Sequence, residues 1–278
     1  MTISKSLQEL LNGKTVASSR LNTDFVLELM SEGLLVSVVR GSRTSYRALD
    51  TNILKQYLHG KDESFRILDS HSDKATSRSS QAYATGNSKL ISVRSCPGFP
   101  VNAYEPIECI LNGQEFIIHP LEGSFIFVSD WQSFLVPTDV VVVGIENMEN
   151  FRKIRQQYEL FSSIFPNKRL LFVSRYPQST DLRSWLETIP NQYTHFGDFD
   201  LAGIHIFLSE FHKYLGNRAS FFIPSDIEIR LMNGSFERYN VQYLKFKNLS
   251  TDIPSLQQLI DLINRFHRGY DQEGYINL

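Results

Sequence analysis

The chain has 278 residues, of which 42% are hydrophobic and 21% charged, and a formal net charge of −2. That composition suits a soluble globular protein of one large domain or two to three small ones, and it excludes a globally basic nucleic-acid binder. No apolar run is long enough to span a bilayer and the opening MTISKSLQELLNG is amphipathic rather than a secretion leader, so a cytoplasmic protein is expected.

Residues 1–62 are predicted to run helix, helix, strand, turn, strand, helix. SKSLQELLN is a short amphipathic helix. NTDFVLELMSEG carries apolar residues at Phe25, Val26, Leu27, Leu29 and Met30, with Gly33 at its C-terminal end. LLVSVVRGSRTSYRAL is β-rich on both sides of a Gly-Ser turn, which is a hairpin pattern, and DTNILKQYL closes the unit as a helix. Seven Lys and Arg residues stand against five Asp and Glu between Met1 and Gly60, and Arg40, Arg43 and Arg47 fall within RGSRTSYR. Helices followed by a basic hairpin is the order of a winged helix-turn-helix. Arg20, Arg40, Arg43 and Arg47 are then candidate DNA-backbone contacts. The alternative is a small packing module with a solvated basic turn.

Residues 63–135 are expected to be a linker and a β-rich middle region. SHSDKATSRSSQAYATGNSK is polar and poor in large apolar groups. LISVRSC, IECILNGQEFIIH and GSFIFVSD are short β-like runs, with NGQE as a hairpin turn. The two cysteines, Cys96 and Cys109, lack CxxC spacing and cannot form a four-ligand zinc site, so they are expected to be free or buried thiols.

From residue 136 strand and helix alternate. DVVVVGIE is a β-branched run suited to a strand buried on both faces. NMENFRKIRQQYELFSSIF follows as a helix with Phe151, Ile154, Tyr158, Phe161 and Phe165 on one face. KRLLFVSRY is a strand, STDLRSWLETI a helix, YTHFGDFD a third strand, and LAGIHIFLSEFHKYLG a helix with Ile204, Phe207, Leu208, Phe211 and Leu215 on one face. RASFFIPS is a fourth strand. This alternation predicts an α/β domain over 136–278 with a parallel sheet, whose functional residues gather at the carboxyl ends of the strands.

Glu146 ends one such strand, and Asp198 and Asp200 end another. Alternate residues of an extended segment face one way, so both aspartates can point outward. Three converging carboxylates repel one another, and a hard divalent cation removes that penalty. Oxygen-only ligands favour Mg2+ or Mn2+ over zinc. Gly197 and Gly203 allow close backbone approach around the pair. The plainer reading of each acid is a helix cap or a solvated loop residue.

At these residues the chain resembles a known family. VVVVGIENMENF followed by HFGDFDLAGIHIF is similar to the Toprim fold, whose signature is a Glu after one strand and a DxD after a later one. The glycine, the DxD and the small-Gly pair before an apolar helix resemble the topoisomerase VI A subunit and its meiotic relatives. IENMENF, YPQSTDLRSWL and DQEGYI resemble the nuclease subunit of Wadjet anti-plasmid systems, JetD. The resemblance covers about residues 136–278, and it implies a C-terminal Toprim (Rossmann-like parallel sheet) domain preceded by a winged helix and a β-rich middle region. It further implies that Glu146, Asp198 and Asp200 hold Mg2+ (or Mn2+), with Glu146 also as acid/base. Glu273 would be a further acid, and Asn147, Gly197, Gly203 and Gln272 would shape the pocket.

The function so implied is a Mg2+-dependent DNA endonuclease acting on double-stranded DNA as a homodimer. Such a nuclease would work in anti-plasmid or anti-phage defence beside an SMC-type complex. One alternative is a topoisomerase VI A-like strand transferase using Tyr46, Tyr57 or Tyr83, although none of these has the expected context of an upstream Arg and an aromatic neighbour on a helix. The other is a non-catalytic DNA-binding adaptor. The chain is also shorter than a Wadjet nuclease subunit is expected to be.

Overall fold

A computed structural model describes residues 5–61, 79, 82, 96–176 and 179–276. The chain divides into two units, Met1–Ser95 and Cys96–Leu278. Most of the polar stretch from residue 70 to 89, the expected strand LISVRSC up to Ser95, and Tyr83 lie outside the described residues.

In the first unit three helices, Lys5–Leu11, Thr23–Ser31 and Thr51–Lys61, accompany a three-stranded antiparallel sheet of β1 (Val16–Ala17), β2 (Leu35–Arg40) and β3 (Arg43–Ala48). The strand order is β1–β3–β2. Asn22 begins the second helix by accepting the Phe25 N–H at 3.0 Å. Its end is closed by the Gly33 N–H on the Met30 carbonyl and the Leu34 N–H on the Leu29 carbonyl, the paired bonds of a Schellman motif. Phe25, Val26 and Leu29 of this helix are buried, whereas Leu27 is exposed. Leu7, Leu10, Leu29, Leu35, Leu54 and Leu58 form the unit's core.

The second unit is built on a six-stranded mixed sheet in the order β11–β10–β8–β9–β4–β7. Its strands are β4 (Phe99–Ala103), β7 (Ile126–Val128), β8 (Val141–Ile145), β9 (Leu170–Ser174), β10 (Tyr193–Phe196) and β11 (Ala219–Phe221). A separate hairpin, β5 (Ile107–Leu111) and β6 (Gln114–Ile118), turns at Asn112-Gly113 as the NGQE pattern suggests. β11, β10, β8 and β9 are mutually parallel, and β4 runs antiparallel to both β9 and β7. Every residue of β4, β9 and β10 is buried, so both faces of the sheet are covered. The division expected between 135 and 136 runs through this sheet, because β4 and β7 precede it. Their runs are too short to reveal their partners from sequence.

Chain order around the centre has a direct consequence for function. From β8 the chain passes to β9 on one side and then returns to β10 on the other. Adjacent parallel strands whose connections depart in opposite directions leave a crevice at their carboxyl ends, the switch point where open α/β sheets bind ligands. β8 and β10 are those strands, paired as Gly144 with His195 and Ile145 with Phe196.

The helix expected to run unbroken from Met148 is instead three pieces, Met148–Arg152, a 3-10 turn Ile154–Gln157, and Tyr158–Ile164. Buried polar groups explain the break. The Gln157 amide donates to the Asn150 and Lys153 carbonyls at 2.8 and 3.2 Å, while the Asn150 amide donates to Gln157 Oε1 at 2.9 Å and to the Gln272 carbonyl at 2.8 Å. These bonds satisfy backbone groups that a continuous helix would have used itself. Phe151, Ile154 and Phe161 are buried as expected, but Tyr158 is half exposed.

Candidate functional site

The site stands at the switch point. Glu146 follows β8 directly, its N–H donating to the Phe196 carbonyl at 3.0 Å, so it stays registered against β10. Asp198 and Asp200 follow β10. Asp200 caps the helix Leu201–Ile206, its Oδ1 accepting the Gly203 N–H at 2.8 Å. The plainer reading of Asp200 as a cap is therefore correct as far as it goes. Its other oxygen, Oδ2, accepts from Arg238 Nη1 at 3.0 Å and Gln242 Nε2 at 2.8 Å. Asp198 Oδ2 shares the same Arg238 Nη1 at 3.1 Å, and its Oδ1 accepts the Gln272 N–H at 3.1 Å.

The two glycines are required by contact. A Cβ on Gly197 would lie 2.7 Å from Glu146 Oε2 and 2.8 Å from His195 Nε2, and one on Gly203 would lie 2.3 Å from the Asp198 carbonyl oxygen. Glu146 thus packs over the residue that precedes Asp198, which joins the two motifs.

The segment after residue 270 crosses both motifs. Gln272 is fully buried; its N–H binds Asp198, its Oε1 accepts the Asn147 N–H at 3.3 Å, and its carbonyl accepts from Asn150. Asn147 caps the helix Met148–Arg152 through the Glu149 N–H, and its side-chain amide donates to Glu273 Oε1. Glu273 therefore stands at the rim, engaged by Asn147.

Several residues that spacing did not single out complete the site. Arg238, on the helix Phe236–Phe246, bridges Asp198 and Asp200 and also binds Asp271 at 2.6 Å. Arg175, just beyond β9, lies 3.6 Å from Glu146 and 3.7 Å from Glu210. Glu210 is carried there by a π-helical stretch, Phe207–His212, inside the helix that begins at Leu201. Buried His195 approaches Glu146 Oε2 with its Nε2 at 3.5 Å. A surface cavity of about 320 Å³ opens beside the aspartates, lined by Ser235, Glu237, Arg238, Val241, Gln242 and Asp271.

Electrostatics separate the acids. Burial pushes the Glu146 carboxyl up, but His195, Arg175 and Arg238 outweigh it and hold the group below the ordinary carboxylate range. At Asp198 burial wins. Helped by the charges of Asp200 and Glu146, it raises the carboxyl to about 6 against the pull of the Gln272 N–H and Arg238. Between about pH 4 and 6 the folded protein then binds more protons here than the unfolded chain. Asp198 thus costs stability above pH 6, on the order of 2–3 kcal/mol, and the cost fades as pH falls toward 4. The Asp198 carboxyl-carbon NMR signal in chelator-treated protein is expected to titrate near pH 6. A midpoint near 4 would show that its charge is already compensated.

Among the described residues no group of three or more His, Cys, Asp or Glu side chains stands at metal-holding distance. The donor chemistry nonetheless fits a hard divalent cation. The acids offer oxygen alone, and Asp198 carries a charge its neighbours under-neutralise. Arg238 competes for the same aspartate oxygens.

The expected DNA contacts lie in the first unit. Arg40 and Arg43 are cross-strand partners closing the β2–β3 turn, and Arg47 lies further along β3; all three are exposed. Arg20 is ion-paired to Glu9 at 2.9 Å. Tyr46 is half-buried on β3, and the Tyr57 hydroxyl donates to Glu28 at 2.8 Å. That bond, with burial behind it, holds the Tyr57 hydroxyl above its ordinary range. Cys96 is exposed and Cys109 buried, and both are free thiols. No described helix is long and apolar enough to cross a membrane. No protein-family model matches this chain, and a comparison with the curated proteins likewise finds no match.

Proposed function

We propose that this chain is a metal-dependent DNA endonuclease of the Toprim type, resembling the Wadjet nuclease subunit and the topoisomerase VI A subunit. One observation carries the reading: Glu146, Asp198 and Asp200 stand at the carboxyl ends of adjacent parallel strands at the sheet's switch point. Glu146, Asp198 and Asp200 would hold Mg2+ or Mn2+, with Glu273 at the rim. Such an ion, when bound, stabilises negative charge on a phosphate under attack and acidifies the attacking water. Glu146, kept ionised by its cationic neighbours, accepts the proton of that water. Gln272 and Asn147 hold the two motifs in register, and Arg175 offsets the charge that gathers when phosphate enters.

The first unit would position duplex DNA. Its helix order and β1–β3–β2 sheet support a winged helix-turn-helix. Arg40 and Arg43 stand directly opposite one another, an arrangement that costs stability unless an anion lies across it, as a phosphodiester backbone would. Arg47 extends this row, whereas Arg20 is partly neutralised by Glu9. A homodimer would bring two sites to the two strands, and the resemblance points to an SMC-type complex as partner in defence against plasmids or phage.

The test is supercoiled plasmid incubated with Mg2+ or Mn2+, or with EDTA, each reaction then split with and without protease digestion. Metal-dependent nicked or linear products that enter the gel without protease are expected. Products released only by protease would replace hydrolysis with a tyrosine strand transfer. The Arg238 bridge across the aspartates favours a second reading, a DNA-binding adaptor. It predicts no cleavage, with plasmid binding lost on replacing Arg40 and Arg43 but kept in Asp198→Ala.

A further inference from the structure

In the stretch Tyr193-Thr194-His195 the first and third side chains form a buried pair behind Glu146. Tyr193 and His195 are both about 1% exposed. As alternate residues of β10 they face the same way, and the Tyr193 hydroxyl lies 2.9 Å from His195 Nδ1. Phe211 packs against both rings at 4.9 and 5.0 Å, and Phe207 stacks on the imidazole at 5.8 Å, so neither side chain can swing away.

The tautomer follows from hydrogen-bond accounting. Among the described residues the Tyr193 hydroxyl has no partner but Nδ1, and burial holds that hydroxyl well above its ordinary range, so it keeps its proton. A buried hydroxyl proton without an acceptor is costly, so the O–H donates and Nδ1 accepts. The imidazole hydrogen is thereby placed on Nε2. That atom lies 3.5 Å from Glu146 Oε2, and neither has a hydrogen-bond partner of its own. At this distance the pair is adjacent but not closed, as is common before a substrate or ion draws an active site together.

Two glycines serve the same arrangement. A Cβ on Gly144, the β8 residue paired with His195, would meet the Tyr193 hydroxyl at 2.1 Å. A Cβ on Gly197 would meet Glu146 Oε2 and His195 Nε2 together. Side chains at either position would separate Tyr193, His195 and Glu146. The other charged groups around Glu146 are Arg175 from β9's end, Glu210 from the π-helical stretch, Arg238, and Asp198. None of these occupies Oε2.

We propose that His195, fixed by Tyr193 as the Nε2–H tautomer, is the positioning residue for Glu146, orienting its carboxylate toward the aspartate pair. The role rests on the metal-dependent reading of Glu146. A donor behind a ligating carboxylate fixes which oxygen is free, and its loss typically costs about 10–100-fold in metal affinity.

The test pairs NMR of the histidine ring nitrogens with Mn2+ titration by calorimetry, on wild type, Tyr193→Phe, His195→Gln and His195→Ala. His195→Gln also assigns the signal, and retains a side-chain N–H. The wild type is expected to show Nε2–H alone, and Tyr193→Phe a mixture of tautomers. Mn2+ affinity is expected to fall about 10–100-fold in His195→Ala and Tyr193→Phe, with partial rescue in His195→Gln. An Nδ1–H tautomer in the wild type, or equal Mn2+ affinity in all four proteins, overturns the positioning role and leaves the nuclease reading standing. Failure of the wild type to bind Mn2+ at all overturns the nuclease reading itself, whatever the tautomer.

Discussion

Asp198→Ala is expected to lower metal-dependent nicking of supercoiled plasmid on the order of a thousand-fold, without lowering the melting temperature at pH 7.5. Both halves follow from where this carboxylate sits. It is a ligand candidate with no structural duty beyond accepting the Gln272 N–H and sharing Arg238. Asp200, in contrast, also caps a helix, so its loss confounds chemistry with folding. Because burial raises the Asp198 carboxyl to about 6, its charge is a burden at neutral pH, and alanine removes that burden along with the acceptor. Glu146→Ala is expected to match it in rate loss. Wild-type nicking rates in either variant would remove the triad from the chemistry. A collapsed melting temperature in Asp198→Ala would instead show the carboxylate to be structural.

Arg238→Ala is expected to destabilise the chelator-treated protein by about 2–3 kcal/mol, or about 4–10 °C in melting temperature. The guanidinium contacts three carboxylates, and one of them, Asp200, is only 2% exposed. Removing it leaves the Asp200 charge, which cannot reach water, without a counterion, whereas Asp198 and Asp271 stay partly solvated. Arg238 is itself about a third exposed, which reduces the figure from what a fully buried pair would give. Mn2+ should narrow the gap between variant and wild type, since an ion on the aspartates supplies the missing charge and stabilises by mass action. A variant that melts with the wild type in EDTA would show that Gln242 and the Gly203 N–H suffice to hold Asp200.

The acids of the site were legible in the sequence because strand ends are. VVVVGIE and YTHFGDFD each show an apolar run stopping at a carboxylate, and the rule about carboxyl ends needs no tertiary knowledge. Asn147, Gly197, Gly203 and Gln272 fall beside those acids in space. Arg238, Arg175 and Glu210 were invisible for a physical reason: each comes from a helix or loop whose position depends on packing, and a solvated surface residue has the same local pattern. Tyr193 and His195 were in plain view, but alternation alone could not say that Phe207 and Phe211 would seal them. At the level of the fold, the sheet's parallel half followed from alternating elements. The antiparallel additions β4 and β7 did not, because three- to five-residue strands carry no mark of their partners. The single helix expected after Met148 failed because Asn150 and Gln157, polar residues on its inner side, bind backbone there.

The crossing of both motifs by Gln272 has a consequence for how the protein is made. Chains emerge from the ribosome in order, and the sheet can begin to pair once β11 is out. Tyr275 packs on Phe196 and Phe199 in the core, and Phe199 exchanges backbone bonds with Tyr270. The Gln272 bridge between Asn147 and Asp198 is therefore added to the β8–β10 register only once residues 270–275 have been translated. A nascent chain stalled earlier holds Glu146 and Asp198 without the clasp that joins their motifs.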